Sequence, residues 1–294
     1  MIWLTIVAAL AGTALALLFW RQSDLQSDRV TCQQLWQFSE EEPKVYDASL
    51  VAGLPEPAQR YFNYVIQPGT RLYRVVELSM TGELGLGTKD SPRYQQMSAR
   101  QVLAPPHGLV WQLNTANMTG SDGITTETSW TRFWLFDILP IVRAGANRDH
   151  HRSAFGRVVA EAAFWAPAAL LPSDFVQWQP VDKDSARAIV STQRFTQAVD
   201  IHVAPDGRPV SVRIQRWSNE NAERVYRQQP FGGYLFDIKD YDGYRLPTRV
   251  EGGNHFGTED YFPFYKVDVT AVRFTAAGCQ RRPPRDCPGG QCLA

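Results

Sequence analysis

The stretch from Phe231 to Phe274 constrains the fold more than any other. Tyr244, Leu246, Thr248 and Val250 alternate with Arg245, Pro247, Arg249 and Glu251, the period-2 pattern of a strand with one face buried and the other in water. Asp242-Gly243, just before this run, predicts a hairpin turn, because a type I′ turn needs φ > 0 at both central residues. A third run, Tyr265 to Phe274, alternates again and is β-branched at Val267, Val269, Thr270 and Val272, as strands prefer. The pattern therefore predicts a meander of three long antiparallel strands.

The same grammar recurs upstream. Leu72, Val76, Leu78 and Met80, then Tyr94 to Leu103, then Leu109, Trp111 and Leu113 read as successive strands. Gly85-Leu86-Gly87 and Pro105-Pro106-His107-Gly108 separate them, and Asn117 to Trp130 reads as a further hairpin around Asp122-Gly123. Strands resume after Pro172 at Phe175–Val181, Ala186–Phe195, Ala198–Val203 and Pro209–Trp217, the last two joined by the turn Pro205-Asp206-Gly207. The expected fold class is mainly β: one curved antiparallel sheet or half-barrel of about ten strands. A short amphipathic helix precedes it, with Leu54, Ala58, Tyr61, Phe62, Val65 and Ile66 at helical spacing, Pro55 and Pro57 in the first turn, and Pro68-Gly69 as the stop.

Between the two meanders lies an apolar insertion. Phe133 to Val142 is densely apolar, and Ser153 to Leu171 reads as a helix with Ser153 placed to cap it. A curved sheet holding such a helix is expected to wrap it with its concave face. Arg148 to Arg152, in front of the helix, reads as a solvated loop, since adjacent histidines do not present two metal ligands to one point.

Ile2 to Trp20 carries no formal charge and as a helix reaches about 28 Å, enough for a bilayer's hydrocarbon core. We read residues 2–20 as a single-pass transmembrane anchor. A cleaved signal peptide is the rival, with Ala14-Leu15-Ala16 as its small-residue site, but no basic residue precedes the apolar run. Arg21 and Arg29 follow the helix and bias that side toward the cytoplasm, whereas long domains cross despite such biases, so the domain is expected on the extracytoplasmic side. Residues 21–53 then form a polar stalk or a short helix with a solvated end, 54–275 the β half-barrel, and 276–294 a Cys/Pro/Gly-rich tail.

Composition removes several function classes. The 30 basic and 30 acidic residues are interspersed and cancel, which leaves no concentrated basic face for nucleic acid. No zincin, phosphate-loop or nucleophile-elbow motif is present, and no cofactor or metal site is expected. Ser121, in Gly120-Ser121-Asp122-Gly123, reads as turn chemistry. Cys32, Cys279, Cys287 and Cys292 can pair outside the cytoplasm, in a pattern the sequence leaves open. Nine Trp, eleven Tyr and fifteen Phe are more aromatic side chains than one core requires, and some are expected to line a cavity or a membrane-facing rim.

Two resemblances follow from particular runs. Arg132 to Arg143, Ser153-Ala154-Phe155-Gly156-Arg157 through Glu161, Phe164-Trp165-Ala166-Pro167, Arg216-Trp217-Ser218-Asn219 and Gln229-Pro230-Phe231-Gly232-Gly233-Tyr234 resemble a bacterial membrane-anchored family with no established activity, over roughly Leu54 to Phe274. The hairpin Tyr241-Asp242-Gly243-Tyr244-Arg245-Leu246-Pro247-Thr248-Arg249 is similar, more distantly, to the last hairpins of the lipoprotein-carrier half-barrel (the LolA and LolB fold). That resemblance implies a curved sheet cupping acyl chains against inner helices.

Arg157 and Glu161 stand four apart on the apolar helix, on one face and able to pair. They either order the buried helix or meet a ligand's headgroup. Trp111, Phe133, Trp134, Phe155 and Trp165 are the expected lining of a slot for a lipid or acyl chain, and the same side chains would equally serve as plain core. The expected function is a membrane-anchored binding module for such an apolar ligand. Two alternatives stay open: an envelope scaffold that meets a protein partner, and a hydrolase or isomerase acting on a lipid-like substrate with Glu161 as acid or base.

Overall fold

The computed structural model describes residues 2–275. Cys279, Cys287 and Cys292, and with them the pairing expected in the tail, lie outside the described residues.

Among the described residues, three α-helices and thirteen strands form in chain order: α1 (Ile2–Trp36), α2 (Glu56–Val65), β1 (Val76–Thr88), β2 (Ser91–Ala104), β3 (Gly108–Thr115), β4 (Met118–Ile124), β5 (Ser129–Leu135), β6 (Leu139–Gly145), α3 (Arg148–Trp165), β7 (Val176–Asp182), β8 (Ser185–Ser191), β9 (Thr196–Val203), β10 (Pro209–Ser218), β11 (Arg227–Tyr241), β12 (Tyr244–Asn254) and β13 (Phe262–Arg273). All the strands belong to one antiparallel sheet, ordered β6-β5-β4-β3-β2-β1-β13-β12-β11-β10-β9-β8-β7. Each half is a simple meander. They meet at the β1–β13 seam, where Glu77 pairs with Arg273 and Leu84 with Tyr265. The fold is therefore mainly β, as the alternation predicts, and α3 connects its two edge strands.

The predicted C-terminal strands form, and Asp242 and Gly243 both take positive φ, 54° and 89°, the type I′ geometry. Upstream the turns move. Gly85-Leu86-Gly87 stays within β1, whose pairing with β2 continues to Thr88 and Ser91. Asp122-Gly123 lies inside β4, paired with Thr131 and Trp130 of β5. A glycine is needed at 123 for space, since a Cβ there would stand 2.1 Å from the Trp130 ring.

The apolar run Phe133–Val142 is a hairpin, β5 and β6, whose turn residues Phe136, Ile138 and Leu139 face solvent. Of the insertion, α3 is the part that packs on the concave face, where α2 joins it. Its cap is Asn147, whose side chain accepts from the His150 amide, with Asp149 in the first turn. Ser153 therefore lies inside the helix, because the Arg148–Arg152 segment read as a loop is already helical and His151 is buried.

The inner face carries the main core. Leu78 and Met80 of β1, Leu103 of β2, Leu109 and Leu113 of β3, Val199 and Ile201 of β9 and Ile214 of β10 pack with Val158, Val159, Ala162 and Ala163 of α3 and with Tyr61, Phe62 and Val65 of α2. The outer face carries a smaller cluster, in which Cys32, Leu35 and Trp36 of α1 meet Val102, Val110 and Trp130. Residues 22–36, expected to form a stalk or a short helix with a solvated end, continue α1 as helix. Arg21, Asp24, Asp28, Thr31, Cys32, Leu35 and Trp36 are buried, a three-and-four spacing that lays one helical stripe along the sheet. The part of α1 before Arg21 is almost wholly exposed and is long and apolar enough to cross a membrane.

Candidate functional site

Beneath α3, a row of side chains crosses the N-terminal half of the sheet. Gln101 of β2 pairs with Trp111 of β3, Trp111 with Asp122 of β4, and Asp122 with Thr131 of β5. Directly paired residues share a face, so all four point at the helix. From α3, His150, Arg157 and Glu161 descend on that row at near-helical spacing.

Arg157 is the hub. Its Nε donates to Glu161 Oε1 at 2.5 Å, its Nη2 to Gln101 Oε1 at 3.1 Å, and its Nη1 to Asp122 Oδ2 at 3.4 Å. Its guanidinium lies 5.1 Å above the Trp111 ring. Gln101 Nε2 donates to the other Glu161 oxygen at 2.5 Å, so each carboxylate oxygen is engaged. A second, half-buried guanidinium, Arg216 of β10, donates from Nε to the Ser153 carbonyl at 3.2 Å and lies 4.8 Å from the Phe231 ring. Two cations and two carboxylates, Glu161 and Asp122, thus balance within a largely buried cluster, the condition under which buried charge is tolerated.

The electrostatics follow from that balance. Burial opposes the Arg157 charge, but Glu161 and Asp122 outweigh it and hold its pKa above the ordinary guanidinium value. Arg216 has less compensation, and burial and then Arg157 push it down to about 10. Burial likewise raises the Tyr265 hydroxyl, with Glu161 adding to the effect. It lowers His150, with Asp122 opposing and Arg216 and His151 reinforcing. His150 lies between two hydroxyls, Ser129 Oγ at 2.7 Å and Thr131 Oγ1 at 3.1 Å. Either hydroxyl can donate or accept, so a neutral imidazole satisfies both.

Of the expected slot residues, Trp111 and Phe155 are buried on the inner face, and Phe133 is partly buried against the same core. Trp165, at the far end of α3, is fully buried and donates from Nε1 to the Pro247 carbonyl at 3.4 Å. Trp134 does not join them. One residue on from Phe133 in a strand, it points to the opposite face, where its Nε1 donates to Asp24 of α1 at 2.9 Å. Gln101, Asp122, His150 and Arg216 complete the cluster; from sequence His150 reads as part of a solvated loop and Asp122 as part of a turn, and Gln101 and Arg216 carry no site role. One signal was available: Gln101 interrupts the apolar alternation of Met97, Ala99 and Leu103.

Little space remains between α3 and the row. A cavity of about 50 Å³ is lined by Leu109, Asp122, Ile124, His150, Arg157 and Arg216, among others. A wider cleft of about 530 Å³ opens at the rim, between Glu127, Ser129, Asn147, Arg148, Arg194 and Phe195. Its walls are mostly polar.

Solved structures that are similar to the chain include two from different families. One is a LolA superfamily protein from Nitrosomonas europaea, at 9% identity, covering 78% of this chain and 93% of that one, with a TM-score of 0.42. The other is a DUF1329 family protein from Desulfovibrio piger, at 8% identity, covering 70% and 87% of the two chains, with a TM-score of 0.40. No match was found among curated proteins. Residues 44–267 match a family of unknown function, DUF6544, and because that match spans well over half of the 294 residues, the chain belongs to this family.

Proposed function

We propose that the protein is a membrane-anchored module that binds an apolar chain, from a lipid or an acyl group, on the concave face of its sheet. The observation that carries this reading is how α3 is attached. It covers an apolar face many strands wide, yet its chain connections run only to the edge strands β6 and β7. Each edge strand is paired on one side, so α3 can lift without breaking any central ladder. Lifting is required, because the cavity beneath α3 is about 50 Å³ and small-molecule sites occupy about 300–1,000 Å³.

With α3 withdrawn, each methylene that enters is stabilised by about 0.8 kcal/mol. Trp111, Phe133, Phe155 and Trp165 line the path of the chain. Arg157 and Glu161, on α3 between Phe155 and Trp165, meet the headgroup, with Arg216 as a second cation when that headgroup is charged. Residues 2–20 anchor the module in the membrane with the domain on the extracytoplasmic side, where large domains are carried despite flanking arginines.

A photoactivatable fatty acid tests the reading. The full chain, reconstituted in vesicles, is irradiated with the probe and the adducts are mapped by peptide mass spectrometry. Adducts at concave-face residues such as Met80, Met97, Trp111 and Phe155 are expected. Adducts confined to α1 and the outer surface would overturn it.

A further inference from the structure

The β5–β6 hairpin runs alongside α1. Trp130 shares a buried cluster with Cys32, Leu35 and Trp36, Trp134 reaches Asp24, and Asp137 in the turn reaches Arg21. From Trp130 to Asp137 along the strand, and from Trp36 back to Arg21 along the helix, the paths are both about 23 Å. The hairpin therefore keeps pace with the helix. Its turn arrives at the level where the uncharged stretch of α1 leaves the domain.

The turn is apolar. Phe136 is 67% exposed, Ile138 54% and Leu139 53%, with Ile141 and Val142 exposed behind them. Among the described residues of the sheet, no other turn gathers so many exposed apolar side chains. Its one charge, Asp137, is met by Arg21 at 2.9 Å. Trp20 packs edge-on against Trp134 at 5.7 Å, with the Arg143 guanidinium 4.5 Å over the Trp20 ring. Tryptophan and arginine grouped in this way suit the boundary between headgroups and hydrocarbon.

We infer that the β5–β6 turn is a second membrane contact, in which Phe136, Ile138 and Leu139 enter the interface of the same bilayer that α1 crosses. The inference rests on the anchor reading of residues 2–20. Depth is limited by β6, an edge strand whose unpaired backbone groups cannot enter hydrocarbon, so only the turn inserts. Two attachment points, one spanning and one interfacial, hold the domain at a fixed tilt to the membrane.

A diazirine analogue of phenylalanine, placed singly at positions 136, 139, 10 and 225 of the full chain in phosphatidylcholine–phosphatidylglycerol vesicles, tests it. Leu10 reports the anchor. Val225 is an exposed control beside Tyr226, whose ring stacks on Trp217. Trp217 binds Asp149, just past Gly145, the residue that pairs with Trp130 at the end of the hairpin away from its turn. Lipid adducts at 136 and 139 at least about tenfold above those at 225 are expected for side chains seated in the interface. Adducts at 10 with 136 and 139 at the level of 225 would overturn the inference and leave the anchor standing. No adduct at 10 would overturn both.

Discussion

Arg21 and Asp137, 116 residues apart in the chain, meet at 2.9 Å where the apolar stretch of α1 ends and the β5–β6 turn begins. Arg21 is almost buried, and its Nη2 also donates to Thr119 of β4 at 3.0 Å. Helix α1 and the sheet thus form one packed unit from Arg21 to Trp36. A displacement of the helix is therefore felt by β4 and β5.

Asp24 carries most of that docking. It accepts from Trp134 Nε1 and from both terminal nitrogens of Arg143, with Arg132 at 3.5 Å. Burial works against its charge, but these donors and guanidiniums hold its pKa below the usual carboxylate value. Asp24→Ala leaves the indole and the arginines without their shared acceptor, at an expected cost of about 2–4 kcal/mol. Hydrogen exchange should rise over residues 21–36 and β5 and remain unchanged over β10 to β12.

Asp28 behaves in the opposite way. Its Oδ1 is buried without a hydrogen-bond partner. Burial pushes its pKa up to about 6, with Ser121, Arg132 and Arg21 opposing and Asp24 reinforcing. A raised carboxylate pKa means that the folded state holds the proton more tightly, so this group's contribution is most favourable below about pH 4 and is lost as pH rises through 6. Asp28→Asn is expected to stabilise the protein by up to about 3 kcal/mol at pH 8 and by almost nothing at pH 4. Denaturant titrations at the two pH values check the difference.

The Arg157–Glu161 pair should respond as a unit. Glu161→Leu leaves a buried guanidinium facing only Asp122 and is expected to cost about 3–5 kcal/mol. Arg157→Met with Glu161→Leu removes both charges, and the double variant should be more stable than the sum of the single losses implies, by about 1–3 kcal/mol. A double-mutant cycle on the unfolding free energy measures that coupling.

Architecture was legible in this sequence because strands declare themselves locally. The alternation from Tyr244 to Val250 and the Asp242-Gly243 turn depend on neighbours in the chain, and both form. The site was only half legible. Arg157 and Glu161 are four apart on one helix, so their pairing follows from sequence spacing. Gln101, Asp122 and Arg216 reach them across β2, β4 and β10, and no local spacing records such meetings. Asp122-Gly123 was misleading because the dipeptide favours turns, whereas here the glycine makes room for the Trp130 ring. Trp134 was assigned to the slot by its aromatic character, although period 2 already forbids it from sharing a face with Phe133. The second half of α1 looked polar because its buried stripe begins with Arg21, Asp24 and Asp28, whose partners come from β4, β5, β6 and the β5–β6 turn.

The central claim, that the concave face takes up an apolar chain, is tested most directly by native mass spectrometry of the full chain released from detergent micelles. Collision energy is raised until lipids held only by α1 are stripped, and the remaining mass is read. One lipid-sized adduct per chain, retained after stripping and weakened in Trp111→Ala without loss of the folded charge-state distribution, is the expected result. A bare chain mass from a folded protein, at every energy that removes the micelle, would contradict it.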